Sequence, residues 1–217
     1  MIFSNMSLSE LAQNFIVLFV AITVHEYAHG MIAYRLGDPT AKAMGRLTLN
    51  PMAHLDPLGA LMLLFCRFGW AKPVPINPYY FDDQKKGTIM VSIAGPLSNL
   101  TVAFIVATIY PFLFILSPSL FDPNAFLGKL FLVCIITNIN FAIFNLIPFP
   151  PLDGSKILFS VLPYRAYNKL LEYERYGTIV LLVLSFSGLL GRILGFVISP
   201  IWGIYINWIN FLLNLFT

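Results

Sequence analysis

The stretch from residue 8 to residue 36 reads LSELAQNFIVLFVAITVHEYAHGMIAYRL, an apolar run with His25, Glu26 and His29 in its second half. A run of this length can cross a bilayer as a helix, for which about 20 residues are needed. In H-E-x-x-H, the two imidazoles lie one turn apart on one helix face, where they can share a zinc ion. The Glu beside the first His can then serve as general base toward water. The bland alternative is chance polar residues lining a helix bundle. It is disfavoured because an ionisable side chain at the centre of a membrane helix costs about 2.5–3.5 kcal/mol on insertion scales, and three in one helix need a purpose.

The rest of the chain agrees with a membrane setting. Of 217 residues, 58% are hydrophobic and 11% charged, and the mean hydropathy is +0.79. Soluble domains carry about 25% charged residues. A net charge of +3 is too small to suggest nucleic acid; the excess Lys and Arg fits orientation by the positive-inside rule. Cys66 and Cys134 sit apart in apolar stretches and read as small packing residues, not a disulfide or a zinc ribbon. The first ten residues lack a basic n-region and a small-residue cleavage site, so the first helix reads as a retained anchor.

Five spans are expected: 8–36, 88–116, 126–147, 177–190 and 194–216, with Gly191-Arg192 as the last turn. Arg35 and Gly37 are stop signals for the first. Residues 43–49 read as a short strand. Residues 58–65 are apolar but too short to span and read as a re-entrant or interfacial helix. The closely spaced prolines of 71–78 favour extended chain. Pro148, Pro150 and Pro151 end the third span, and a short amphipathic stretch, 155–162, leads to a charged loop, 165–175. No sequence repeat is visible.

Lys42, Arg46, Arg67, Lys72, Lys85 and Lys86 fall between spans one and two; Lys156, Arg165, Lys169 and Arg175 fall between three and four. The turn at 117–124 has no basic residue. The positive-inside rule therefore puts the N-terminus outside and the C-terminus in the cytoplasm, with Arg192 a minor violation. At 1.5 Å per residue, His29 and His25 lie roughly 10 and 16 Å below the cytoplasmic end of the first helix.

A catalytic zinc site needs a third protein ligand and an open position. Asp153 is the first choice, because it follows a proline-broken helix end where irregular backbone can reach into a cavity. Its plain role would be N-cap of the helix beginning at Gly154 or Ser155. His54 is the competitor: a group beside the ligands or on the substrate side first, a ligand second, an exposed loop histidine last. Asn99, Asn138, Asn140 and Asn145 are polar groups in apolar spans. Their plain role is interhelical hydrogen bonding; the functional one is orienting substrate or stabilising the oxyanion, with Asn145 the better candidate because it is nearest Asp153. Ala94, Gly95 and Ser98 form a small-residue surface that lets the second span press against the H-E-x-x-H helix.

Three motifs together, His25-Glu26-Tyr27-Ala28-His29, Ala94-Gly95-Pro96-Leu97-Ser98-Asn99 and Asn145 to Gly154 (NLIPFPPLDG), resemble the site-2 protease family of intramembrane zinc metalloproteases. Residues 50–59 (NPMAHLDPLG) are similar to its short bacterial or archaeal branch. The resemblance implies one Zn²⁺ per chain on His25, His29 and Asp153, with Glu26 activating water. His54, Asn145 and Asn99 remain candidates for substrate, oxyanion or supporting contacts. It implies a three-helix core and substrates that are transmembrane helices, cut in regulated intramembrane proteolysis. The expected fold is all-α and polytopic: about five transmembrane helices, a short re-entrant or interfacial helix and small β-hairpin elements. One membrane-embedded domain fills 1–217, with the core at about 8–162 and the C-terminal helices at about 176–216. No PDZ or CBS domain is expected, so substrate sensing would fall to a partner. The expected location is the cytoplasmic membrane; a homo-oligomer or a regulatory membrane partner is open, and no nucleic acid is expected. The segments at 43–49 and 71–76 are candidates to hold an unwound substrate by strand addition.

Two other classes compete. A membrane metal transporter or metal-binding regulator would explain buried His and Asp, but not Glu26 where a base is required, and no internal repeat supports it. A catalytically silent relative is argued against by the intact set. Glu26→Gln separates the first of these from an enzyme.

Overall fold

The computed structural model describes residues 7–56, 59, 71–162 and 176–216. Four helices among them are long and apolar enough to cross a membrane: α1 (Leu8–Arg35), and three more at Gln84–Leu116, Phe126–Asn145 and Leu189–Phe216. With the short helices at Thr40–Ala43, Pro118–Phe121, Asp153–Val161 and Tyr176–Phe186, these are numbered in chain order: α2 (Thr40–Ala43), α3 (Gln84–Leu116), α4 (Pro118–Phe121), α5 (Phe126–Asn145), α6 (Asp153–Val161), α7 (Tyr176–Phe186) and α8 (Leu189–Phe216).

The ends of the long helices follow local chemistry. Ser7 and Glu10 form a capping box at the start of α1, satisfying backbone N–H groups that have no partner within the helix. Gly37, at φ +100°, takes the left-handed conformation that stops α1. Asp83 caps α3 through the Lys86 N–H, so that helix begins at Gln84 and not at 88 as expected.

α3 is the centre of the bundle and packs against α1, α5, α6 and α8. Its contact with α5 and α8 is a cluster of Ala103, Ala107, Tyr110, Ile135, Ile139 and Ile209, where alanines let the backbones approach. Pro96 and Pro111 lie inside α3. Neither breaks it, although Pro96 has no N–H to give to the Ser92 carbonyl.

Two expectations are corrected. Residues 43–49 are not a strand: Ala43 ends α2, and Gly45, at φ +67°, turns the chain. Among the described residues the only β feature is an isolated bridge between Leu55 and Ala71. The turn expected at Gly191-Arg192 falls instead at Ser187-Gly188, where Gly188 has φ +73°, and both Gly191 and Arg192 are helical within α8. Within the span expected at 177–190, Tyr176–Phe186 form the apolar helix α7, and residues 189–190 open α8. The extended chain expected at 71–78 is present up to Asn77. The helix expected at 58–65, apart from Gly59, and the loop at 165–175 lie outside the described residues.

Candidate metal centre

His25 and His29 lie in the second half of α1, on the face turned to α3. α3 crosses this face at Gly95, where a Cβ would lie 2.5 Å from His29 Nε2 and 2.6 Å from His25 Cε1. No other residue type fits without displacing an imidazole. Asp153 comes from the far side of the same space. The chain leaves α5 at Asn145, turns through Pro148–Pro151, and starts α6 at Asp153. Gly154 allows this tight return, since a Cβ there would meet the Leu146 carbonyl oxygen at 2.3 Å. The N-cap of α6 is Leu152, and it makes no side-chain cap bond. The Asp153 carboxylate is therefore not spent on capping.

It lies against the two histidines. Asp153 Oδ2 is 3.0 Å from His25 Nε2 and 2.9 Å from His29 Nε2. All three residues are buried, and their ligand-type atoms lie within 4.8 Å of one another. Lys156 Nζ donates to the other oxygen, Asp153 Oδ1, at 3.0 Å.

The outer nitrogens of the imidazoles decide what this cluster can bind. His29 Nδ1 is 2.7 Å from the Val91 carbonyl oxygen, which can only accept, so Nδ1 carries the proton. His25 Nδ1 is 2.7 Å from Asn99 Oδ1. The Asn99 amide donates from Nδ2 to the Ala21 carbonyl at 3.0 Å and to Asn138 Oδ1 at 2.8 Å. Its oxygen is thus the acceptor, and His25 Nδ1 is also the protonated nitrogen. In the neutral rings both Nε2 lone pairs then face a carboxylate oxygen. Three acceptors pointed at one another in a buried space repel unless a cation stands among them. Two imidazoles with fixed tautomers and one carboxylate are the donor set of a catalytic zinc site.

Glu26 sits next to His25 but turns toward the extended segment, where its Oε2 accepts the Val74 N–H at 2.7 Å. That segment is tied down on both sides. Arg46 donates to the Lys72 and Pro73 carbonyls, Lys72 N–H to the His54 carbonyl, and Asn77 N–H to buried Asp38. Between it and the metal cluster is a cavity of about 230 Å³ lined by His29, Val74, Ile76, Ser92, Asp153 and Lys156, among others.

The remaining candidates separate. Asn99 touches His25. His54 is fully buried, not exposed; its Nε2 donates to the Thr48 carbonyl, and it is not part of the metal-type cluster. Asn145 donates to the Phe141 carbonyl on its own helix, and the structure does not bring it to the histidines. Sequence reasoning missed Val91, Val74, Lys156 and Phe141, whose ring packs 4.8 Å from that of His25. Val91 and Val74 act through backbone atoms and leave no signature in side-chain type. Lys156 was legible as one turn beyond Asp153.

Comparison with known proteins gives one consistent picture. The description "Peptidase family M50" matches residues 122–190, which include α5 and Asp153. A Bacillus subtilis (strain 168) protein named "Putative zinc metalloprotease YwhC" is 42% identical over 170 residues, covering 78% of each chain. The "Putative zinc metalloprotease Rip2" of Mycolicibacterium smegmatis is 28% identical over 80% of this chain and 66% of its own. That of Mycobacterium tuberculosis (strain H37Rv) is 30% identical over 76% and 63%. No solved structure matches significantly.

Proposed function

The chain belongs to peptidase family M50, the site-2 protease family, and is a multi-pass membrane zinc metalloprotease; from this we propose that it hydrolyses peptide bonds in transmembrane segments of other membrane proteins, as in regulated intramembrane proteolysis. The observation that carries the reading is the convergence of His25 Nε2, His29 Nε2 and Asp153 Oδ2, while the other nitrogen of each imidazole is engaged by an acceptor, at the boundary of a small cavity inside a membrane bundle.

These three atoms would hold the metal. Zinc in such a site supplies Lewis acidity, which acidifies water and polarises a carbonyl oxygen. Val91 and Asn99 place the proton of each neutral imidazole on Nδ1, which leaves the Nε2 lone pair for the metal. Glu26 takes the proton as the water oxygen bonds to the scissile carbonyl carbon, and gives it to the amine nitrogen as the C–N bond breaks. The Val74 N–H fixes Glu26 Oε2, leaving Oε1 to carry that proton.

The scissile amide must leave its helix first, because helical N–H and C=O groups are already engaged. The extended segment 71–76 would hold the unwound substrate by strand addition. Val74 and Ile76 line the cavity, and among the described residues the Ile76 N–H and carbonyl bond no protein group. Lys42, Arg46, Lys85, Lys86 and Lys156 all flank the end of the bundle where the site lies. Under the positive-inside rule they support an active site nearer the cytoplasmic face of the cell membrane.

Glu26→Gln and Ile76→Pro test these roles side by side on a model transmembrane substrate. Both are expected to keep zinc. Glu26→Gln should lower cleavage by at least about 10²-fold, and Ile76→Pro should lower it in part. Full cleavage by Glu26→Gln would remove the general base, and full cleavage by Ile76→Pro would remove strand addition.

A further inference from the structure

The two oxygens of Asp153 do different things. Oδ2 faces both imidazole Nε2 atoms, at 3.0 and 2.9 Å, while Oδ1 is held by Lys156 Nζ at 3.0 Å. Lys156 is placed three residues after Asp153 on the same face of α6, so the contact is built into the first turn of that helix. The lysine side chain is 49% exposed. An ion pair so open to solvent adds little to folding stability, which leaves its position beside the cluster in need of another reason.

The reason lies in the carboxylate. A free carboxylate can offer a cation one oxygen or both. A catalytic zinc takes three protein ligands and keeps a further position for water and substrate. With two imidazoles already present, a second carboxylate oxygen would occupy that position. An ammonium on Oδ1 competes for it electrostatically and holds the carboxylate plane in one orientation.

We propose that Lys156 is a positioning residue that commits Asp153 to presenting a single oxygen to the metal, and so keeps the reactive position open. The inference rests on His25, His29 and Asp153 being the metal site. It concerns the Lys156 charge as a fixed neighbour of Oδ1 and needs no change in its protonation.

The test uses the full chain in detergent, loaded with Co²⁺ as a spectroscopic probe, as wild type, Lys156→Met, Lys156→Arg and Asp153→Ala. Expected results are one cobalt per chain in the wild type and loss of cobalt in Asp153→Ala. Lys156→Met should retain cobalt but show weaker visible absorption, as the metal goes from four ligands to five. Its kcat on a model transmembrane substrate should fall about 10-fold with KM little changed. Lys156→Arg should restore both spectrum and kcat.

An unchanged cobalt spectrum and kcat in Lys156→Met would overturn the proposal while leaving the metal site intact. So would loss of cobalt from both Lys156 variants, since a positioning role leaves three ligands in place. Retention of cobalt by Asp153→Ala would overturn the metal site itself, and the proposal with it.

Discussion

The α1–α3–α5 core and the C-terminal helix α8 are built from similar apolar sequence and obey different rules. In the most apolar 18-residue windows of α1, α3 and α5, 28–33% of residues are buried inside the protein; in that of α8 none is. The core also buries His25, His29, Asn99 and Asn138; hydrogen bonds join His25 to Asn99 and Asn99 to Asn138, and Asp153 of α6 meets both histidines. α8 buries only Ile209 and Leu212, and its polar contacts to α3 are single bonds from Tyr205 to the Leu100 carbonyl and from Trp208 to Thr108. A buried polar network has one geometry in which every member is satisfied, and leaving a member unpaired carries the full desolvation penalty. Dispersion contacts between apolar helices admit many arrangements. Tolerance to substitution should therefore differ sharply between the two regions.

Glycines expose the difference best, because the same added methyl group probes both. The largest effect is expected at Gly95, whose Cβ position lies 2.5 Å from His29 Nε2. Gly95→Ala should reduce zinc content and cleavage to background, checked by metal analysis and substrate assay on the purified protein. A smaller loss is expected at Asn99. Asn99→Ala removes the acceptor that fixes the His25 tautomer, and should weaken zinc affinity or activity by about 10–100-fold, measured by metal titration against a chelator. The smallest effect is expected in α8, where nothing lies within 4 Å of a Cβ on Gly203. Gly203→Ala should leave cleavage unchanged, and its thermal midpoint should be equal or slightly higher, since Ala is favoured over Gly in a helix by about 1 kcal/mol. Equal sensitivity at Gly95 and Gly203 would erase the distinction between the two regions.

The same contrast explains which features are legible in the amino-acid sequence. The spans are legible because long apolar runs leave a backbone few choices in a bilayer. The approach of α3 to the H-E-x-x-H helix is legible in Ala94, Gly95 and Ser98, whose smallness has no other use. Less legible are places where one residue decides among near-equal options. Gly188 and Gly191 can each turn a chain, and the chain turns at Gly188 while Gly191 is helical in α8. Residues 43–49 contain one strong strand former, Thr48; Gly45 turns the chain, and Arg46 is drawn off to the carbonyls of Lys72 and Pro73. At the site, side-chain chemistry points to His25, Glu26, His29 and Asp153. The Val91 carbonyl and the Val74 N–H belong to the backbone, which every residue shares, and no sequence pattern marks them. Asn145, close to Asp153 in sequence, bonds the Phe141 carbonyl one turn back. Proximity along a chain that turns sharply at Pro148–Pro151 is a poor guide to proximity in space.

The most direct measurement is the zinc content of purified wild type, Asp153→Ala and His54→Ala, with each also assayed on a model transmembrane substrate. The expected result is loss of both metal and cleavage in Asp153→Ala, and retention of metal in His54→Ala. Zinc kept by Asp153→Ala and lost from His54→Ala would contradict a site made of two imidazoles and one carboxylate, and would point to three histidines in its place.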